Sequence, residues 1–218
     1  MLVRPLLALL VLALTACSAL PSRTPPTPTP EPVPPEVRVL PGRGVEVDGH
    51  GSAMTDEITP DYSGGLSIGI EVVTLTHDGH SSFIVNAMQG NQSENVTSAV
   101  GAYQGQRPLV VEDAVSFQVT ADGNWTLKVQ PMSSGGTPAF RGTGDSVSPY
   151  FQPPDAGVWN VSFDGQARFF VYAHCVGGSV VVEDKTGAFN ESINMQFSRG
   201  PCFWEVRADG NFSLSPQS

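Results

Sequence analysis

Apolar and polar residues alternate with a period of two through the chain beyond Val37, and a helical period is hard to find there. Val115, Phe117 and Val119 alternate with Ser116, Gln118 and Thr120, and Trp125, Leu127 and Val129 are separated by Thr126 and Lys128. This is the pattern of strands that bury one face. Asp122-Gly123 stands between the two runs. Tight hairpin turns need positive φ, which Gly accepts freely, so the spacing predicts a β-hairpin with its tip at Asp122-Gly123.

The same writing occurs twice. "VTADGNWTL" (Val119 to Leu127) returns as "VRADGNFSL" (Val206 to Leu214), and "THDGHSSFIVNAM" (Thr76 to Met88) aligns with "SFDGQARFFVYAH" (Ser162 to His174). "GAY" at Gly101 matches "GAF" at Gly187, and "GHGS" at Gly49 matches "GTGD" at Gly142 more loosely. Ordered anchors at a spacing of about 86 residues predict a tandem repeat. The expected organisation is all-β, with two sandwich or jelly-roll domains over residues 40–131 and 139–218 and a linker over 132–138.

The N-terminus reads differently. Residues 1–16 carry Arg4, an apolar run from Leu6 to Leu14 and then small residues, which is the layout of an export signal. The run is shorter than the roughly 18 residues a membrane span requires. "LTAC" (Leu14 to Cys17) resembles the bacterial lipoprotein signal. That resemblance implies acylation of Cys17 and a membrane-anchored chain facing away from the cytoplasm. Residues 17–39 are expected to form a tether, because Pro21 to Pro35 contains eight prolines and favours extended polyproline II.

The series "W-N-V-S-F-D-G", "G-A-Y-Q-G-Q-R-P-L" and "V-T-A-D-G-N-W-T-L" resembles a β-rich repeat of secreted proteins and lipoproteins of Gram-positive-type and related bacteria. The resemblance rests on framework glycines, turns and core aromatics, and it implies no catalytic residues.

Charge narrows the partners. The formal net charge is −10, and loss of Arg4 with the signal makes the mature chain more acidic. Such a surface repels phosphate backbones, which argues against nucleic acid. With Cys17 assigned to lipid, Cys175 and Cys202 remain. A disulfide between them would close a loop of about 27 residues and stabilise a small domain by roughly 3 to 4 kcal/mol. Free thiols and a metal site are the alternatives, and only His174 is close enough in sequence to assist a metal.

Candidate chemistry is sparse. His77 and His80 flank Asp78-Gly79, and with His50 they form a candidate zinc or copper set. Five Asp-Gly pairs, at Asp48, Asp78, Asp122, Asp164 and Asp209, make calcium conceivable but supply no ligand ladder. Trp125, Trp159 and Trp204 fall in register with aliphatic residues and are expected in the core, whereas Tyr62, Tyr103 and Tyr150 lie near glycines or prolines in expected loops and are candidate ligand contacts. Six Asn-x-Ser/Thr triplets fit turns and exposed strand faces. The expectation is an envelope-anchored module with a non-catalytic binding, adhesion or scaffold role, recognising a wall polymer, a glycan or an envelope protein. A secreted hydrolase or a metal-binding protein built on the loop His and Asp residues of the first domain is the alternative.

Overall fold

A computed structural model describes residues 34–41, 44–59, 69–112, 114–154 and 156–217. The signal segment, Cys17, Tyr62 and most of the tether lie outside the described residues. Alternation sets the strands. In β4 (Ile70–His77) Glu71, Val73, Leu75 and His77 are buried while their neighbours are not, and in β5 (Ser82–Gln89) Phe83, Val85 and Ala87 are buried.

The first half comprises β1 (Glu36–Val39), β2 (Val45–His50), β3 (Ala53–Met54), β4, β5, β6 (Gln92–Val100), β7 (Tyr103–Val110), β8 (Ser116–Thr120) and β9 (Asn124–Pro131). The second comprises β10 (Phe140–Thr143), β11 (Ser146–Val147), β12 (Gly157–Phe163), β13 (Arg168–Cys175), β14 (Gly178–Thr186), β15 (Phe189–Met195), β16 (Cys202–Arg207) and β17 (Asn211–Pro216). They form four antiparallel sheets, paired into two sandwiches.

Strand order repeats between the halves. β2-β9-β4-β7 corresponds to β10-β17-β12-β15, and β3-β8-β5-β6 to β11-β16-β13-β14. Each repeat also has a register shift at one place, between Val85 and Asn86 in β5 and between Val171 and Tyr172 in β13. The corner glycines agree as well, with φ of 65° at Gly51 and 69° at Gly144.

Two details differ from the sequence expectation. Glu36–Val39 belongs to the first sandwich as an edge strand on β2, not to the tether. Its Arg38 pairs with Glu46 and Asp48 across that edge. Residues 132–138 are not a free linker, because Met132 is buried and its N–H donates to the Ile70 carbonyl, while the Gly136 N–H donates to Tyr150.

Each sandwich has its own core. Val73, Leu75 and Leu127 meet Phe83, Val85 and Phe117 in the first, and Trp159, Val161 and Leu214 meet Phe169, Val171 and Trp204 in the second. All three tryptophans are buried, and Trp159 meets Trp204 edge-on at 5.5 Å. The second core is also crosslinked. Cys175 and Cys202 are direct partners across β13 and β16 and form a disulfide.

The twice-written Asp-Gly turns interlock. Asp78 accepts from the Asn124 N–H (2.7 Å) and side-chain amide (2.8 Å), and Asp122 accepts in return from the N–H groups of His80 (3.1 Å) and Ser81 (3.0 Å). In the second sandwich Asp164 holds Asn211 in the same way, at 2.6 and 2.8 Å, and Asp209 accepts from Gln166 (3.1 Å) and Ala167 (2.9 Å). Each clasp joins the β4–β5 turn to the β8–β9 turn, or their counterparts, and so ties the two sheets at one end. The Asn124 side chain holds Asp78 below the usual carboxylate range, Asn211 does so for Asp164, and the His80 N–H does so for Asp122.

The glycines are required because the two turns touch. A Cβ at Gly123 would lie 2.6 Å from the Gly79 nitrogen and 2.7 Å from its Cα. At Gly210 the Gly165 nitrogen and Cα are both 2.6 Å away. These are backbone atoms and cannot swing aside. Replacing Gly123 or Gly210 by Ala is expected to lower stability by about 1 to 3 kcal/mol, read by urea unfolding.

Glu71 faces the first core and is 3% exposed, and its Oε2 has no hydrogen-bond partner among the described residues. Burial raises its pKa to about 7. A carboxyl raised on folding favours the folded state fully below its unfolded value, and that advantage is lost as pH climbs through about 7. The Glu71→Gln variant is therefore expected to exceed the parent in stability at pH 8, by at most about 3 kcal/mol, and to match it at pH 4. Paired thermal unfolding at the two pH values reads the difference.

Candidate functional site

The histidines proposed for metal binding sit at the clasp end of the first sandwich but serve other partners. His77 is buried, its Nδ1–H donates to the Gly101 carbonyl at 2.9 Å, and its ring stacks on Phe83 at 4.6 Å. Phe163 takes the same place against Phe169 in the second sandwich, at 4.9 Å, so His77 occupies an aromatic framework position. His50 meets the Asn124 side chain at 3.1 Å, and the backbone N–H of His80 belongs to the clasp. No group of three or more His, Cys, Asp or Glu side chains that could hold a metal occurs among the described residues. Four of the five Asp-Gly carboxylates accept backbone N–H groups in the clasps. Asp48 accepts from Thr126 (2.7 Å) and pairs with Arg38.

Of the tyrosines, Tyr103 is placed differently from the expectation, whereas Tyr150 lies in a loop and lines the cleft described below. Tyr103 opens β7 instead of lying in a loop, is half-buried, and donates its hydroxyl to Asp145 at 2.7 Å. Burial raises its pKa to about 12. Tyr150 follows β11 and is buried, edge-on to Phe203 at 5.6 Å. Neither is an exposed loop platform.

Asp145 connects the two sandwiches. It lies in the corner between β10 and β11, where its carbonyl accepts from the Gln106 N–H at 2.9 Å. Its Oδ2 takes Arg107 and Tyr103 of β7, each at 2.7 Å, and its Oδ1 takes the Ala208 N–H at 2.9 Å. The corresponding corner of the first sandwich carries Ser52, whose hydroxyl meets the Ala121 N–H at 3.3 Å. A short hydroxyl closes one corner, and a carboxylate closes the other while reaching the neighbouring sandwich. Met132, Val147, Tyr150 and Phe203, packed with Ile70 and Val72, add an apolar contact between the sandwiches.

A cleft of about 360 Å³ opens beside this junction. Ile70, Val96 and Pro108 line it from the first sandwich, and His174, Phe203 and Glu205 from the second. A row of rings leads into it. Phe170 and Tyr172 are 4.5 Å apart, Tyr172 and His174 5.3 Å, His174 and Phe203 4.7 Å, and Tyr150 ends the row. The Arg168 guanidinium lies over Phe170 at its other end, 5.0 Å from the ring centroid.

Phe170, Tyr172 and His174 are alternate residues of β13, so they share the face opposite Phe169, Val171 and Ala173. His174 is fixed on both sides, with Nε2 2.9 Å from Glu205 Oε2 and Nδ1 2.8 Å from Ser179 Oγ. Glu205 also accepts from Arg207 Nε at 2.9 Å. Burial alone would raise the Glu205 pKa, but His174 and Arg207 outweigh it and hold the carboxyl ionised below its ordinary value.

A second depression, about 560 Å³, lies over Thr76, Gln104 and Thr126 on the polar face of the first sandwich. It gathers no comparable set of groups, since its His77 is committed to Gly101 and Phe83. The chemistry therefore concentrates in the cleft. Its residues left one trace in the sequence: "RFFVYAH" is aromatic at both alternations, and "CFWEVR" buries both faces. A strand with no polar side must meet something on each. No protein-family model matches the chain, and no curated protein matches it.

Proposed function

We propose that this chain is a recognition module of a bacterial cell envelope, anchored through acylated Cys17, and that it binds a neutral glycan or wall polymer along the aromatic row and in the cleft. The observation that carries this reading is the row Phe170–Tyr172–His174–Phe203, with three of its four rings half-buried and so partly open to a ligand. Aromatic rings on a rigid strand offer large contact area at small entropic cost, and stacked rings suit the apolar faces of sugar rings.

Charge supports a neutral ligand. Glu205 is balanced by Arg207 and Arg107 by Asp145, while Glu94 adds a further carboxylate to the lining, so the cleft carries no excess of positive charge to draw an anionic polymer. The anchor rests on the "LTAC" stretch and its position after the apolar run.

Two measurements test the reading. In pull-down and calorimetry against a panel of insoluble and soluble polysaccharides, at least one neutral polymer is expected to bind. Tyr172→Ala should weaken that binding about tenfold or more without shifting the unfolding midpoint. A panel without binding, or an affinity indifferent to Tyr172, contradicts the proposal. In cells, the chain should partition with membranes and label with a palmitate analogue, and Cys17→Ser should abolish both.

A further inference from the structure

We infer that the cleft also carries a nucleophile: Ser179, activated by His174 and Glu205, in a site for cleaving carboxylic esters. The three side chains form one hydrogen-bonded line. Glu205 Oε2 stands 2.9 Å from His174 Nε2, and His174 Nδ1 stands 2.8 Å from Ser179 Oγ. An ionised carboxylate at Nε2 assigns the proton to that nitrogen, which leaves Nδ1 with a lone pair aimed at the serine hydroxyl. This is the logic of a nucleophile, a base and an orienting carboxylate, with the two imidazole nitrogens exchanged relative to the usual arrangement. Arg207 on the second Glu205 oxygen keeps the carboxylate from turning away.

The strand pairing places these groups. Val176 and Gly177 form a two-residue turn closed by Cys175 opposite Gly178, and the next pair is His174 opposite Ser179. Alternate antiparallel pairs turn their backbone groups toward and away from each other, and in the second kind the side chains lie closest. His174 and Ser179 are of the second kind, which accounts for the short contact. It also directs the Ser179 N–H to the free side of β14, the last strand of its sheet. An N–H there is available to the oxyanion that forms on a carbon bonded to Ser179 Oγ, and Arg207 lines the same cleft.

The chemistry balances with water as the only co-reactant. Ser179 Oγ bonds to the ester carbonyl carbon and gives its proton to His174 Nδ1. The bond from that carbon to the alcohol oxygen breaks, and the alcohol leaves with the proton from Nδ1. Water then adds to the acyl-serine and gives a proton to Nδ1. The carboxylic acid departs as Ser179 regains its proton. Val96, Val110 and Val176 line the cavity and suit the acyl portion, while the aromatic row suits a polyol carrier. The substrate class is thus an acyl ester borne on a glycan. That carrier rests on the recognition reading above, whereas the nucleophile does not.

The full-length chain treated with a fluorophosphonate probe is expected to gain one adduct on Ser179, located by peptide mass spectrometry, and to hydrolyse p-nitrophenyl acetate. Ser179→Ala, an exposed substitution, should lose both while its unfolding midpoint stays where it is in the parent. His174→Gln should slow labelling about 100-fold or more. An unlabelled Ser179 in protein with a normal unfolding midpoint, or a labelling rate unchanged in His174→Gln, overturns the inference. Labelling at Ser179 without any polysaccharide binding would instead overturn the recognition reading and leave the nucleophile standing.

Discussion

One carboxylate holds together the part of the molecule where chemistry is possible. Asp145 receives Arg107, Tyr103 and the Ala208 N–H on its side chain and Gln106 on its carbonyl, and three of those four partners belong to the other sandwich. The Arg107 and Asp145 side chains are only 10% and 13% exposed. Removing one member of a largely buried ion pair leaves the other desolvated, which costs about 3 to 5 kcal/mol. The junction is therefore specified by a few strong bonds, with a modest apolar patch around Phe203 filling in. The cleft exists only where that junction sets one sandwich beside the other, while the rings that lead into it all belong to the second sandwich.

Duplication supplies the rest. Both copies use reciprocal Asp-Gly clasps to tie the sheets at one end, and both keep a side-chain hydroxyl, Thr55 or Ser148, on the N–H of a central strand, at 2.9 Å in each case. The copies diverge on faces that are free to change. Positions taken by Ile84, Asn86 and Met88 in β5 become Phe170, Tyr172 and His174 in β13, and Gln89 and Val115 give way to the disulfide of Cys175 and Cys202. A framework written twice could keep its fold in one copy while the other acquired a reactive and aromatic face.

Much of the framework was legible in the sequence, because period-two alternation and turn glycines are local signals. The tryptophans, the hairpin tips and the cysteine pair all follow from spacing and strand face. The site was not legible in the same way. Tyr103 reads as a loop residue because Gly101 precedes it, yet that glycine, at φ 82°, completes the turn early enough for Tyr103 to begin a strand. His77 reads as half of a metal motif until its alternation with Leu75 puts it in the core. Asp145 looks like an ordinary turn aspartate, since nothing local indicates that another sandwich lies against it. The contact of Ser179 with His174 depends on a register that only the closed hairpin reveals.

Docking of the two sandwiches through Asp145 is the claim on which the account of the cleft stands, and backbone ¹⁵N relaxation on the full chain tests it most directly. Residues of β4 and of β12 should report one common rotational correlation time, and Asp145→Ala should split it into two shorter ones. Two independent correlation times in the unaltered chain would mean that the sandwiches move apart freely, that the cleft is not a fixed site, and that the account is wrong.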